Sequence, residues 1–332
     1  MKYEWLKSVA IISTDYTFIE FNDNFNGNIK PNTLPENLTT LVFGYFFDQK
    51  IKPCTLPENL TTLTFGWYFN QKIEPNTLPE KLTTLTFGNY FNQKIEPKSL
   101  PKNLTFLNFG YDFNQKIESK SLPKNLTSLD LGSDFDQKIE LNTLPEKLTT
   151  LTFGNCFNKK IKPCSLPNSI TTLTFSNYFN QKLELKSLPN SLTTLDFGFD
   201  FNQKIEPNIL PESLTNITFV KFNQKIELNI LPSNLKYIEF NWTRLFNDIS
   251  SYVEMVNNIP NYYNVKIFLT HNFFSDKEPK WPIHVCQYKK KKWPLELYEV
   301  IDNYKHSIHG DITVLINKKT YQPYSSAKSA LK

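Results

Sequence analysis

The chain has 332 residues, of which 37 are basic and 32 acidic, giving a formal net charge of +5. No apolar run is long enough to cross a bilayer, so we expect no membrane partner. Arg244 is the single arginine, which disfavours a surface that grips phosphates through bidentate guanidinium contacts. We therefore do not expect nucleic acid as a partner.

Residues 1–11 precede any repeat, and their apolar segment is too short for a convincing signal peptide. We interpret them as an N-terminal cap segment in which Tyr3, Trp5 and Leu6 cover the open end of the next element. Residues 12–33 form a degenerate first repeat, as is usual where one side of a terminal unit faces water. Its core positions are expected at Ile12, Tyr16, Ile19, Phe21, Phe25 and Ile29.

A leucine-proline pair then recurs at steps of 22 residues, with one final step of 21. A period of this length is typical of a solenoid, because one unit cannot bury its own apolar face and needs neighbours to cover it. The pairs begin at Leu34, Leu56, Leu78, Leu100, Leu122, Leu144, Leu166, Leu188, Leu210 and Leu231. Residues 12–240 are thus predicted to form a solenoid of eleven units, the first one degenerate.

Each unit contains one short strand. In the second full unit, Leu63 and Phe65 alternate with Thr62 and Thr64, which predicts apolar side chains on one face and threonines on the other. Stacking the same strand from successive units builds a parallel sheet with about 4.8 Å between neighbours.

Two phenylalanine columns are predicted to stack inside this coil and form its core. The first contains Phe43, Phe65, Phe87, Phe109, Leu131, Phe153, Phe175, Phe197, Phe219 and Phe240; the second contains Phe47, Phe69, Phe91, Phe113, Phe135, Phe157, Phe179, Phe201 and Phe222. A glycine column that includes Gly66 and Gly110 indicates positive φ or close backbone approach. Asparagine or aspartate after the second phenylalanine, as in Asn70, is expected to bond turn backbone groups.

The pattern L-P-x-x-L-T-x-L-x-F-G-x-x-F-N-x-x-I resembles the FNIP repeat, a relative of the leucine-rich repeat found mainly in social amoebae and giant DNA viruses of amoebae. The resemblance covers roughly residues 12–240. It implies a protein-interaction scaffold, and in some giant-virus relatives an F-box precedes the repeats and recruits a ubiquitin ligase. Residues 1–11 are too few to hold an F-box, so the adaptor hypothesis loses its most direct support.

The outward columns of the sheet are the natural binding face of a solenoid. Most of their residues are threonines, which are good strand formers and offer little distinctive contact. Phe106, Asn108, Ser128 and Asp130 interrupt the threonines near the middle, and we predict that this patch contacts a partner. The repeats that read K-I-K-P-C, at Lys50 and Lys160, are a weaker alternative surface for anions.

The period ends near residue 240, and residues 241–332 are predicted to form a small α+β C-terminal cap. Strands are expected at 265–269, 283–288 and 312–316, and helices at 249–257 and 295–304. Residues 1–240 hold 24 lysines and 24 acids, so the net charge belongs to the cap, which has 13 basic and 8 acidic residues. The cap also holds a basic run, Lys289 to Lys292, which we interpret as a solvated loop.

The cap contains all four histidines of the chain, and His284 with Cys286, or His306 with His309, could approach one zinc ion. Their spacing matches no standard finger, so we expect no metal and no other cofactor. Cys54 and Cys164 share one column five units apart, about 24 Å, which is too far for a disulfide. Reduced cysteines favour a cytoplasmic location, in the host cytoplasm if the protein is viral.

No catalytic constellation is evident, so we expect neither an enzyme nor a small-molecule substrate. The favoured function is a non-enzymatic protein–protein interaction scaffold whose sheet surface contacts a protein, in a viral setting a host protein. Two alternatives stay open: a substrate-recognition adaptor of a ubiquitin ligase, and a purely structural repeat protein.

Overall fold

The computed structural model describes residues 3–222, 224, 226, 229–242, 266–271 and 312–317, with side chains up to residue 239. The chain divides into two compact units, Met1–Leu192 and Thr193–Lys332. None of the described residues belongs to a helix with the length and hydropathy of a membrane span.

The first unit begins with a 3-10 helix over Glu4–Ser8 and an antiparallel pair, β1 (Ala10–Ile12) and β2 (Phe18–Phe21). Seven three-residue strands follow, each parallel to the one before it. They are β3 (Thr40–Val42), β4 (Thr62–Thr64), β5 (Thr84–Thr86), β6 (Phe106–Asn108), β7 (Ser128–Asp130), β8 (Thr150–Thr152) and β9 (Thr172–Thr174).

The N-terminal cap covers the first core layer as predicted. Leu6 is fully buried, and the Trp5 ring stacks on Phe21 with 6.3 Å between centroids. The prediction that Ile12 and Tyr16 occupy core columns was wrong, because neither side chain is buried. Ile12 instead lies in the strand β1, which pairs antiparallel with β2 and so does not continue the parallel register of the repeats.

The alternating strand pattern was predicted correctly. In β4 the Leu63 side chain is fully buried, whereas Thr62 and Thr64 on the opposite face are partly exposed. The register pairs each residue with its counterpart 22 positions away, for example Leu63 with Leu85. Identical residues therefore lie on top of one another from unit to unit.

The two phenylalanine columns form parallel stacks within the coil, as predicted. The Phe65 and Phe87 rings are 5.7 Å apart with an interplanar angle of 7°. The second column runs alongside, with Phe69 and Phe91 at 6.2 Å. Within one unit the two columns meet closely, at 3.8 Å between Phe87 and Phe91. Each ring thus contacts neighbours along and across the stack, and the columns form the core.

Glycine is required for two different reasons along one column. A Cβ at Gly66 would overlap the carbonyl oxygen of Gly44, and a Cβ at Gly88 would overlap that of Gly66. Gly110 and Gly132 face the same crowding and in addition have φ of +81° and +79°. Both predicted causes, close approach and positive φ, therefore operate.

The F-N-Q segments form a second hydrogen-bonded ladder. Asn70 Oδ1 accepts the backbone N–H of Asn92 at 2.9 Å and the Nε2 of Gln93 at 3.0 Å. Asn92 Oδ1 does the same for Asn114 and Gln115. The predicted role of asparagine in satisfying backbone groups is confirmed, and the bonds run to the next unit instead of within the turn.

A left-handed position that the sequence analysis missed also recurs in nine consecutive repeats. Its residues have φ near +60° and include Asn76, with φ of 62°, and Lys98, with φ of 69°. Asparagine tolerates this conformation better than most residues. Among the described residues, this column consists of Asn32, Cys54, Asn76, Lys98, Lys120, Asn142, Cys164, Lys186 and Asn208.

In the second unit, β10 (Thr194–Asp196), β11 (Asn216–Phe219), β12 (Tyr237–Trp242) and β13 (Lys266–His271) pair in parallel, and β14 (Ile312–Asn317) pairs antiparallel to β13. The strands predicted near 265–269 and 312–316 are confirmed. The predicted strand at 283–288, both predicted helices and the four-lysine run lie outside the described residues. The boundary at residue 240 stays a prediction.

Replacing Phe87 by alanine should lower the free energy of unfolding by about 3–5 kcal/mol, because a cavity opens between three stacked rings. Phe87 is 2% exposed and lies within 6 Å of Phe65, Phe91 and Phe109. The control is Thr86→Ala on the opposite face, which should cost far less. Urea unfolding of both variants checks this, and equal destabilisation would reverse the assignment of inner and outer faces.

Candidate protein-binding face

The four residues of the predicted patch lie side by side on two neighbouring strands. Phe106 and Asn108 are the first and last residues of β6, and Ser128 and Asp130 are the first and last residues of β7. The register sets Phe106 beside Ser128 and Asn108 beside Asp130. All four belong to the outward columns, because the central residues Leu107 and Leu129 are buried.

Phe106 is the exposed aromatic residue of this face. Its side chain is 37% exposed, although it occupies the position of Thr84 in the preceding unit. Its backbone N–H donates to the Thr83 carbonyl at 3.0 Å, as Thr84 donates to Thr61. The strand geometry is therefore the same with either residue, and the ring is not needed to form the sheet.

Asn108 and Asp130 have an internal role that the sequence analysis missed. Asn108 Oδ1 accepts the backbone N–H of Gly110 at 2.8 Å, and Asp130 Oδ1 accepts that of Gly132 at 3.0 Å. Asn108 Nδ2 also donates to Asp130 Oδ2 at 3.2 Å. Asp196 makes the same contact to Gly198, at 2.8 Å.

This side-chain bond accompanies the change in glycine conformation. Positive φ occurs at Gly110, Gly132 and Gly198, each of which follows asparagine or aspartate by two residues. An acceptor at that position closes a short turn over the glycine N–H. The signal was present in the sequence as the spacing N-x-G or D-x-G, which replaces T-x-G of the other units.

The turn aspartates are electrostatically disfavoured in their charged form. Burial raises the pKa of Asp130, and the hydrogen bond from the Gly132 N–H offsets this only in part. The pKa of Asp196 is raised for the same reason, against the opposing bond from Gly198. Asn108 accepts the same bond without carrying a charge.

The lysine-rich repeats offer a less distinctive surface, because neighbouring units supply counter-charges. Lys162 Nζ lies 2.7 Å from Glu140 Oε2, and this hydrogen bond lowers the pKa of the Glu140 carboxyl. Lys160 forms an ion pair with Glu184, and Lys50 Nζ lies 3.4 Å from Glu74 Oε1.

The cysteines among the described residues are free, and no metal-binding cluster accompanies them. Among the described residues, no group of three or more histidine, cysteine or acidic side chains is placed to hold a metal ion. Cys54 and Cys164 are free and exposed, and Cys156 is free and half-buried. His284, Cys286, His306 and His309 lie outside the described residues, so the expectation about zinc stays a prediction.

Short parallel strands stacked at a fixed period, with leucine and phenylalanine inside, define a solenoid of the leucine-rich-repeat type. The sequence matches the family model of the FNIP Repeat over residues 16–46, 47–90, 91–134, 113–156, 157–200 and 201–242. The chain belongs to the FNIP repeat family.

One similar solved structure comes from a giant virus: the crystal structure of CroV588, described as a novel circular LRR protein structure. The two are 48% identical with a TM-score of 0.66, over 70% of this chain and 35% of that chain. The chain thus spans about a third of the length of this relative. No curated protein matches the chain.

Asp196→Asn should keep or increase stability at pH 7, because asparagine retains the acceptor for Gly198 without a buried charge. The native aspartate holds its proton at pH values where the unfolded chain, with a pKa near 3.8, has lost it. The contribution of Asp196 to stability should therefore fall as pH rises from about 4 through its raised pKa. The advantage of the variant should shrink as pH falls through the same window.

Thermal unfolding from pH 4 to pH 8 measures this difference, with Asp196→Ala as the control. Alanine removes both the charge and the acceptor, so it should destabilise the protein by roughly 1 kcal/mol or more through the unpaired Gly198 N–H. An advantage of asparagine that grows towards low pH would contradict the assignment.

Proposed function

We propose that this protein is a non-enzymatic scaffold that binds another protein through the outward face of its solenoid sheet. The leucine-rich-repeat-like fold supports this proposal, because such solenoids commonly mediate protein interactions and are typically non-catalytic. Parallel strands offer side chains from several units at one spacing, so a rigid partner can contact many units at once.

The observation that carries the proposal is the exposed ring of Phe106 among hydroxyl side chains. The sheet forms equally well with threonine at this position, so folding does not account for the ring. Leaving aromatic surface in water is unfavourable, and aromatic residues are common anchors in protein interfaces. Asn108, Ser128 and Asp130 surround the anchor with polar atoms, although Asn108 and Asp130 already bond to turn glycines.

The similarity to a giant-virus protein supports a partner from an infected cell. At 48% identity over most of this chain, the two proteins share more than a fold. We propose a host protein as the partner and the host cytoplasm as the place of the encounter. No helix among the described residues has the apolar length needed to cross a membrane.

Phe106→Thr should leave folding intact and weaken partner binding, because it restores the majority residue of the column and removes the anchor. The partner is first identified by affinity purification and mass spectrometry from the native cell. Its dissociation constant should then rise by about fivefold or more, equivalent to roughly 1 kcal/mol.

The matched control is Thr172→Ala, a change in the same column three units further on. It should not alter binding if the interface centres on Phe106. An unchanged dissociation constant for Phe106→Thr, with the variant folded, would remove this patch from the interface. Ubiquitin-ligase subunits that co-purify even with Phe106→Thr would instead favour the adaptor hypothesis.

A further inference from the structure

A second surface of the first compact unit, Met1–Leu192, carries exposed aromatic rings that the repeat pattern does not explain. Between the glycine column and the second phenylalanine column, each unit has two turn positions that face water. In three consecutive repeats, five of these six positions hold aromatic residues whose exposed fractions are between 39% and 44%, and Asn89 holds the sixth. We call this cluster the aromatic edge: Tyr45, Phe46, Trp67, Tyr68 and Tyr90.

The rings of the aromatic edge contact one another. Tyr45 stacks on Trp67 with 5.5 Å between centroids, and Phe46 stacks on Tyr68 at 5.3 Å. Tyr90 meets the edge of Tyr68 at 4.8 Å with an interplanar angle of 81°. The cluster is therefore a continuous apolar surface on the outside of the protein, separate from the buried phenylalanine columns.

The turn does not require aromatic residues. The backbone N–H of Tyr68 donates to the Tyr45 carbonyl at 3.0 Å, and that of Cys156 donates to the Ser133 carbonyl at 2.8 Å. The same turn bond thus forms with small polar side chains. Contiguous exposed aromatic surface that the fold does not need is typical of an interaction site.

The column of Tyr90 continues into a pair of carboxylates. The next two members are Asp112 and Asp134, and Tyr111, which is 50% exposed, precedes Asp112. Burial and the nearby charge of Asp134 raise the pKa of Asp112. Within the described part of the chain, neither carboxylate has an ion pair with a lysine or arginine, so the local negative charge lacks a counter-charge.

The second compact unit, Thr193–Lys332, contains the same arrangement with a cation in place. Phe199 and Asp200 occupy the two turn positions that Tyr111 and Asp112 occupy in the first unit. There Lys221, from the following repeat, extends its ammonium group over the Phe199 ring at 3.9 Å from the centroid. The same nitrogen lies 3.0 Å from Asp200 Oδ1. An aromatic-aspartate pair of this geometry is therefore a site for an ammonium group in this protein.

The first compact unit, Met1–Leu192, has no lysine at a turn position equivalent to that of Lys221. The repeat that follows Tyr111 and Asp112 has Ser133 and Asp134 at the turn positions, so it adds a second carboxylate instead of a cation. No lysine or arginine occupies either turn position between residues 22 and 200. Among the described residues of the first compact unit, no turn lysine therefore takes the place of Lys221.

We propose that Tyr111, Asp112 and Asp134 bind a lysine or arginine side chain of a partner protein, whose neighbouring apolar residues pack on the aromatic edge. The expected ligand is a basic segment with interspersed apolar side chains. A nucleic acid is disfavoured because its phosphates would meet the two carboxylates. This inference rests on the proposed scaffold function and names a second surface for it.

The test is selection of a random displayed-peptide library on the full chain, followed by fluorescence anisotropy with one selected peptide. The selected sequences should be enriched in lysine or arginine next to apolar residues. Asp112→Asn and Tyr111→Ser should each weaken binding about fivefold or more. Higher salt should weaken wild-type binding more than that of Asp112→Asn, because a charge contact has been lost.

Tyr178→Asn is the matched control. Tyr178 is 56% exposed and lies in the column of Tyr90, but no aspartate adjoins it, because Asn177 precedes it and Phe179 follows it; its loss should therefore leave the affinity unchanged. Selected peptides without basic residues, or an unchanged affinity for Asp112→Asn with the variant folded, would overturn the inference.

Phe106→Thr separates this inference from the scaffold proposal. If the cellular partner is lost with Phe106→Thr but binds Asp112→Asn normally, the sheet face stands and the site of Tyr111, Asp112 and Asp134 is excluded as a contact of that partner. If the selected basic peptide is lost with Asp112→Asn but not with Phe106→Thr, the site of Tyr111, Asp112 and Asp134 stands independently of the sheet face.

Discussion

In-register pairing between consecutive repeats determines which side chains stack on one another in the described repeats. The strand register sets each residue of one strand beside the residue 22 positions later, as Leu63 beside Leu85, and the backbone hydrogen bonds run to flanking residues, for example from the Phe65 N–H to the Thr86 carbonyl. Once this translation is fixed, side chains with the same place in the repeat must stack on each other. Rings then meet rings in the core, asparagines meet the next asparagine at the turn, and glycine is required where two backbones come closest. Each repeat thus buries its apolar surface against the neighbouring repeats, and a single repeat could not bury that surface by itself.

This shared construction explains which parts of the fold were predictable. The alternation around Leu63 and the recurrence of Phe65 and Phe69 report burial directly, so the strands and both core columns followed from the sequence. Ile12 and Tyr16 were misassigned because the pattern was extended one step beyond the last available neighbour. There the chain forms the antiparallel strand β1, because a hairpin supplies a partner for β2 that does not follow the repeat pattern.

The candidate surfaces were only partly predictable, because the contacts of exposed side chains do not follow apolar periodicity. Phe106 was recognisable as a departure from threonine. The bond from Gly110 to Asn108 depends on a local turn, and the aromatic edge depends on rings that meet across units. The asparagines of the left-handed column were a readable signal, but lysine and cysteine at Lys98 and Cys54 obscured it.

The near-identity of the units also creates a problem of register during folding. A strand paired one whole unit out of step would still set leucine on leucine and phenylalanine on phenylalanine, so its core contacts would be almost as favourable as the correct ones. Discrimination must come from residues that do not repeat. Leu131 stands in a column of phenylalanines, and buried Ser176 donates its hydroxyl to the Phe157 carbonyl where other units have glycine. The antiparallel hairpin of β1 and β2 has no equivalent among the other described strands of the compact unit Met1–Leu192. It therefore fixes the position of the first repeat in the stack. These irregular positions therefore favour one alignment of the strands over alignments that are shifted by a whole repeat.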